Sequence, residues 1–217
     1  MKYENILTDY EKMKVLARVL AHLMGDGCVG ERYFAYYNKE DFLLDNYQKD
    51  ILELFGDIHI ITGKMNSGVK LIQNQDKEIL NFLKSLVNDF RSFSLKFPSF
   101  LDLMDYKKEF LKAIYDDEGT AGFRIFRKTN EFKRNLTIAS KSRKFMEDIK
   151  RILEEDFDVK CNRIGSFRKN LNGKEFITWQ LSITGKENFI KFRDKINFSL
   201  PRKKEKLDLM INSYIRK

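Results

Sequence analysis

Between residues 14 and 24, Val15, Leu16, Val19, Leu20, Leu23 and Met24 recur at helical spacing, and Gly25-Asp26-Gly27 follows with glycines tolerant of unusual backbone angles. The pattern predicts a largely apolar helix that stops at an acid. An aromatic run comes next at Tyr33, Phe34, Tyr36 and Tyr37, after which Asn38 is placed to cap a helix over 39–55 with Leu44, Tyr47, Ile51 and Phe55 on one side. Two strands are predicted at 58–62 and 69–73, turning through Gly63, Asn66 and Gly68, and a helix over 77–90 closes the set.

The same order then returns. A helical stretch over 109–116 runs into Asp117-Glu118-Gly119, and strands are predicted at 123–128 and 134–139. Ser140 caps a helix to about 155, a hairpin of 159–167 and 175–184 turns through Asn170, Asn172 and Gly173, and a helix over 187–198 completes the copy. LFGDI at 54–58 aligns with DFDVK at 156–160, and DKEILNFLKSLVN at 76–88 with GKENFIKFRDKIN at 185–197, so the halves read as an internal duplication. The offset grows from 92 at the acids Asp26 and Glu118 to 109 at the last helix, which assigns longer strands or hairpin loops to the second copy. The predicted organisation is a first repeat at 1–95, a linker at 96–106 and a second repeat at 107–217. The bridge contains Pro98 and no Gly/Ser-rich stretch, so the two repeats are expected to pack tightly.

Composition adds charge to this picture. The 217 residues are 42% hydrophobic, enough for one or two cores, and carry a formal net charge of +9, which suits a polyanionic partner. Residues 1–104 hold 13 Lys+Arg against 15 Asp+Glu, whereas 105–217 hold 28 against 17, so the second half carries the whole excess. The first residues, MKYENILTDYEK, lack the apolar core of a signal peptide, and no 18-residue uncharged apolar run occurs, so the reading is of a soluble, intracellular, cytoplasmic or organellar protein without a membrane partner. Cys28 and Cys161, with His22 and His59, stand at no metal-ligand spacing, which argues against structural zinc and leaves catalysis to carboxylates; both cysteines read as reduced strand residues.

The stretches VLAHLMGDG at 19–27 and LKAIYDDEG at 111–119 resemble the paired motifs of the LAGLIDADG homing endonucleases in their single-chain form, and the repeat order matches over nearly the whole chain. The resemblance implies an α+β fold of two pseudo-symmetric αββαββα repeats, with antiparallel sheets forming a DNA-binding saddle and the motif helices packed at the repeat interface. It implies that the acids before each final glycine, Asp26 and Glu118, reach a metal-dependent site for Mg²⁺ or Mn²⁺, with the preceding residues Gly25 and Asp117 beside the metal and Asp116 solvated or packed nearby. Small residues suit a close helix crossing, and Ala17, Ala21 and Gly25 provide them on the first motif helix; on the second, Ala113 is followed by Asp117 where the family has a small residue. His22 likewise stands where an apolar residue is usual. Basic residues after each repeat's last helix approach the site in this family, and their counterparts here are Lys96, Arg202 and Lys203.

Hydrolysis of a phosphodiester needs an activated water and stabilisation of the departing oxygen, which divalent ions held by carboxylates supply. Each acid ends a helix, where the macrodipole is negative and a bound cation is favoured. Duplex DNA is expected on the strands, because an antiparallel sheet can bury one face and offer the other to a major groove. Along 176–184, Ile177, Trp179, Leu181 and Ile183 alternate with Thr178, Gln180, Ser182 and Thr184, the second set being the reading face. Arg124, Lys128, Arg134, Arg163, Arg168 and Lys169 lie in neighbouring strands or loops, suited to guanine edges or phosphates. The reading is a monomeric, metal-dependent DNA endonuclease making a staggered break with short 3′ overhangs, free-standing or intron-encoded since no splicing domain accompanies it. The alternative on the same scaffold is an intron RNA maturase or a DNA-binding protein that does not cut.

Overall fold

Asp9 accepts hydrogen bonds from the backbone amides of Glu11 (3.0 Å) and Lys12 (3.1 Å), and this cap starts the first helix at Tyr10, ahead of the apolar stripe that begins at Val15. In the computed structural model, which describes residues 2–87, 89–126, 131–171 and 174–214, α1 spans Tyr10–Met24 and is preceded by a 3-10 turn at Glu4–Thr8. The chain then forms β1 (Gly27–Val29), β2 (Phe34–Asn38), α2 (Asp41–Phe55), β3 (Ile61–Lys64), β4 (Lys70–Asn74), α3 (Lys77–Leu86) and α4 (Met104–Glu118). It continues through β5 (Gly119–Phe126), β6 (Glu131–Ser140), α5 (Arg143–Glu155), β7 (Gly165–Leu171), β8 (Lys174–Ile183), α6 (Lys186–Lys195) and α7 (Pro201–Asn212). The order read from the sequence is thus observed twice, with α7 added, and no helix among the described residues is long and apolar enough to cross a membrane.

Each set of strands forms one four-stranded antiparallel sheet, ordered β1-β2-β4-β3 and β5-β6-β8-β7, so the duplication extends to topology. It also extends to single turn residues. In the alignment of LFGDI with DFDVK, Gly56 falls opposite Asp158, and these two residues after α2 and α5 both have positive φ, 80° and 53°. In the other aligned pair, Asp76 and Gly185 are the N-caps of α3 and α6, and the buried Leu80 and Leu83 fall opposite the buried Phe189 and Phe192.

The chain divides into two compact units. One comprises Met1–Arg91 with Pro98–Asp117, and the other Ser92–Phe97 with Glu118–Lys217. The packing boundary therefore differs from the repeat boundary, since α4 packs with the first unit up to its penultimate residue. In unit 1 the core is built from Leu16, Val19, Leu20 and Leu23 of α1, Leu43, Tyr47 and Ile51 of α2, Ile79 and Leu83 of α3, and Phe34, Tyr36 and Ile72 of the sheet. In unit 2, Phe145, Ile149 and Ile152 of α5 cover Leu136, Ile138, Leu181 and Ile183, while Phe192, Phe198, Leu207 and Met210 fill the space under α6 and α7.

Several local expectations shift. Asn38 does not cap α2; its Oδ1 accepts from the amides of Lys39 (2.8 Å) and Glu40 (3.1 Å), closing a turn ahead of the helix. Ser142 rather than Ser140 caps α5, with its Oγ accepting from the Phe145 amide at 3.2 Å, while Ser140 supports Ser142. Cys161 lies ahead of β7 instead of inside it, and burial beside Glu154 pushes its thiol up to about 12. The hairpin residues Asn172 and Gly173 lie outside the described residues.

Three helices of unit 1 are joined by one guanidinium. Arg18 of α1 donates to both carboxylate oxygens of Asp50 on α2, at 2.8 and 2.7 Å, and its remaining arm reaches Glu109 of α4 at 3.2 Å, where Lys112 also binds at 3.0 Å. Burial disfavours the Glu109 carboxylate, but Lys112 and Arg18 outweigh it and hold its carboxyl below the ordinary range. Such a carboxyl takes its proton at lower pH in the folded than in the unfolded chain, so its contribution is present above the ordinary glutamate pKa and lost as acid is added. Glu109→Gln is expected to lower unfolding free energy by about 1–3 kcal/mol at pH 7. Urea denaturation of both proteins should show that difference shrinking as the pH falls below about 4.5.

Candidate metal centre and nucleic-acid interface

The end of α1 is shaped by lack of room. A Cβ on Gly27 would lie 2.6 Å from the Leu23 Cα and 2.8 Å from the His22 carbonyl, and one on Gly25 would lie 2.9 Å from Asp117 Oδ2. Gly25 has a φ of −84°, so space and not an unusual φ requires glycine there. Between them Asp26 projects outward and is exposed, with Asn38 Nδ2 donating to its Oδ2 at 3.1 Å.

Asp117, carried over as a neighbour of the metal, is oriented otherwise. Its side chain is fully buried in unit 1, where its Oδ2 lies 2.9 Å from His22 Nδ1 and its Oδ1 accepts from the Tyr36 hydroxyl at 2.6 Å. The two departures from the motif, the histidine on α1 and the aspartate on α4, are therefore partners. Burial disfavours the charged imidazole, but Asp117, with Asp116 and Asp50 behind it, outweighs this and raises the His22 pKa. Burial and the Asp117 charge together push the Tyr36 phenol well up, so it stays a donor. Asp116 is buried as well, at 3% exposure, so of the two placements read for it the packed one holds.

Glu118 is exposed as the last residue of α4, and the carbonyl of the following Gly119 accepts from Lys203 Nζ at 2.6 Å. Lys203 is 7% exposed on α7 and its ammonium also lies 5.7 Å from the Phe198 ring centre. Of the other two basic candidates, Lys96 and Arg202 are exposed. Among the described residues no three His, Cys, Asp or Glu side chains converge to enclose an ion. The exposed carboxylate of Asp26 in unit 1 and that of Glu118 in unit 2 each offer oxygen donors of the kind that suit a hard divalent cation completing its shell with waters and phosphate oxygens, as Mg²⁺ does.

Strand register sorts the residues assigned to the sheet of unit 2. Directly paired residues share a face, and the pairs Arg124↔Lys133, Thr137↔Ser182, Ala139↔Gln180 and Phe167↔Thr178 put Arg124, Thr178, Gln180 and Ser182 on the face away from the helices. Arg124 and Lys133 are exposed and the three β8 residues partly so. Lys133 was missed from sequence, although its alternation with the apolar positions Phe132, Leu136 and Ile138 marks it. Arg134 falls on the opposite face, opposite Phe123, where its guanidinium donates to the Ser213 hydroxyl (2.6 Å) and carbonyl (3.1 Å) and stacks 4.1 Å from the Tyr214 ring. It is a packing residue rather than a base reader. Arg168 pairs with Ile177, also off the reading face, and meets Glu175 at 3.4 Å. Arg163 is exposed ahead of β7, Lys169 sits in β7 opposite Phe176, and Lys128 lies outside the described residues. The expected inner row of β8 is buried only at Leu181 and Ile183; Ile177 is 44% exposed, and Trp179, half-buried, is covered by Arg143 at 5.1 Å.

Comparison with known proteins bears on this arrangement. Residues 105–197 match the model of the LAGLIDADG-like domain. A mesophilic variant of the homing endonuclease I-DmoI superposes with a TM-score of 0.60 at 18% identity, covering 91% of this chain and 98% of that one. The chain has the two-repeat LAGLIDADG fold. I-DmoI in complex with DNA and Mn covers 85% of this chain at a TM-score of 0.56, with 96% of its own length and again 18% identity. The LAGLIDADG fold is shared with full-length DUF199/WhiA from Thermatoga maritima, at a TM-score of 0.57 and 13% identity over 93% of this chain and 61% of that one. In sequence, the chain is 26% identical over 238 residues to the tRNA-splicing ligase RtcB of Pyrococcus furiosus, and spans 94% of itself but only 23% of that relative. The resemblance read from the two acid-glycine helix ends is borne out at the level of the fold.

The division of the arginines is measurable without any nucleic acid. Arg134→Ala is expected to lower unfolding free energy by about 1–3 kcal/mol, because it strips two hydrogen bonds and a stacked cation from the α7 end. Arg124→Ala, on an exposed position, should stay within about 0.5 kcal/mol of the parent in the same denaturation experiment.

Proposed function

We propose that this chain is a divalent-metal-dependent endonuclease that recognises and cuts a long, specific duplex DNA site. The observation that carries the reading is the placement of Asp26 and Glu118: the motif acids of the two repeats are both exposed at helix ends, while the acids beside Glu118 are buried. A divalent cation bound by such a carboxylate would supply positive charge to the phosphoryl and departing oxygens. The chain's own part is to orient the carboxylates that hold the cation and to fix the duplex through its sheets. Arg124 and Lys133 suit phosphates or guanine edges, and Thr178, Gln180 and Ser182 suit base edges in a major groove. The DNA and Mn in the I-DmoI complex support this reading.

A second reading, binding without cutting, is supported by the sharing of the fold with DUF199/WhiA, which is not named as a nuclease. On this reading the chain is a regulator on duplex DNA or a maturase on intron RNA. The two are separated by presenting the protein with a randomised duplex library, with and without Mg²⁺, alongside Asp26→Asn and Glu118→Gln. Cleavage that needs Mg²⁺ and is lost in both variants is expected; retention of bound duplexes with no cut ends in any condition would establish the second reading.

Charge makes a further demand on either reading. The excess of +11 lies in residues 105–217. Each phosphate neutralised contributes a slope of about −0.9 to the dependence of log affinity on log salt. Replacing Arg124, Lys133 and Arg163 together by alanine should flatten that slope by about two to three, and replacing Lys64 and Lys70 of unit 1 should change it by less than one. Equal flattening per residue replaced would overturn the assignment of non-specific affinity to the second repeat.

A further inference from the structure

The buried pair of His22 and Asp117 is the inner end of a hydrogen-bonded chain whose outer end is Asp26. Asp117 Oδ1 accepts from the Tyr36 hydroxyl at 2.6 Å, that hydroxyl accepts from Asn38 Nδ2 at 2.9 Å, and the same Nδ2 donates to Asp26 Oδ2 at 3.1 Å. All five residues belong to unit 1.

Every donor and acceptor along this chain is fixed. Asn38 Oδ1 is held by two backbone amides, those of Lys39 and Glu40, so its amino group must face Tyr36 and Asp26. A phenolic oxygen that accepts from Asn38 has one proton left to give, and it gives it to Asp117. Asp117 is the acceptor because a buried carboxylate beside His22 and Tyr36 can only receive. Reversal at any point would bring two donors or two acceptors together in a buried site. The rings cannot drift, since Tyr36 packs 4.8 Å from both His22 and Tyr47, and Tyr36 is fully buried.

We infer that Tyr36 and Asn38 are positioning residues that hold the Asp26 carboxylate for a divalent cation, with the buried Asp117–His22 pair as their anchor. The inference rests on the reading of Asp26 as a metal ligand and adds how that ligand is oriented. An exposed aspartate turns freely about its side-chain bonds; one tied through Asn38 to a buried phenol is held in a fixed orientation before a cation arrives. The device belongs to unit 1. At Glu118 the anchored group is the next backbone carbonyl, held by Lys203.

The test is Mn²⁺ binding to the full chain, followed by the electron paramagnetic resonance of the free ion, for the parent, Tyr36→Phe, Asn38→Ala, the double variant and Asp26→Asn. Tyr36→Phe removes one hydroxyl and keeps the ring packing, and Asn38→Ala alters a half-exposed strand end, so folding is checked for each by thermal unfolding. Each single variant is expected to weaken Mn²⁺ binding about tenfold, as loss of a group supporting a ligand does. The double variant should be no weaker than the worse single one, because both act through one chain. Parent-like binding in Tyr36→Phe and Asn38→Ala, with loss in Asp26→Asn, overturns this inference and leaves the reading of Asp26 standing. Parent-like binding in Asp26→Asn overturns both. Should Tyr36→Phe fail to fold, Asn38→Ala decides alone, and additive losses in the double variant count against a shared chain.

Discussion

A carboxylate with no access to water must be matched, and in unit 1 that requirement falls on Asp117. Its side chain closes against Gly25 at the end of α1, so tightly that a methyl group there would collide with it. Desolvating an unpaired carboxylate costs several kcal/mol, which neither packing nor helix propensity would offset. His22 and Tyr36 supply the match, the imidazole 2.9 Å from one carboxylate oxygen with its pKa raised by that contact and the phenol as a neutral donor to the other, and they come from α1 and β2. Helix, strand and neighbouring helix are thereby held in one relation by a single buried charge. Gly25, His22 and Tyr36 are therefore terms of one constraint.

The duplication and the class of fold were legible because they are written in short-range pattern. Helical and alternating spacing place most elements to within about five residues, although β7 starts six residues later than read and the pattern assigns β1 no range, and the aligned segments predict equivalent turns that the backbone then repeats, down to the left-handed pair Gly56 and Asp158. The motif acids were legible for the same reason, as each ends an apolar run. What was not legible depends on partners distant in sequence. His22 and Asp117 are 95 residues apart and each looks like a blemish in its own motif; only their contact explains both. Arg124 and Arg134 look alike as strand arginines, and register alone separates a surface position from a packing one. α7 was missed because Lys203 and its basic neighbours obscure the spacing of Leu207, Met210 and Ile211, which are buried.

The two repeats reach similar local geometry by different chemistry. After α1, close backbone approach makes glycine obligatory, and the exposed acid is steadied by a side-chain amide. After α4, a buried lysine holds the carbonyl that follows the exposed acid, and the acid before it is turned inward. Duplicated topology thus does not carry duplicated support. In the first repeat the exposed carboxylate itself accepts from Asn38, and in the second it is the backbone after the exposed acid that is held, by Lys203.

That difference bears on why the fold by itself is a poor guide to activity. The strands and helices rest on apolar spacing, which survives many substitutions, whereas the proposed chemistry rests on the orientation of two exposed side chains. Loss of one hydroxyl on Tyr36 would release Asp26 and take one partner from the buried Asp117, while the sheet order and the basic face of unit 2 would remain. A chain altered in that way would keep every feature that identifies its fold and would still present a surface suited to phosphate. Binding without cutting lies a few polar atoms from binding with cutting, and the hydrogen-bonded path from Asp117 to Asp26 is where this chain would cross from one to the other.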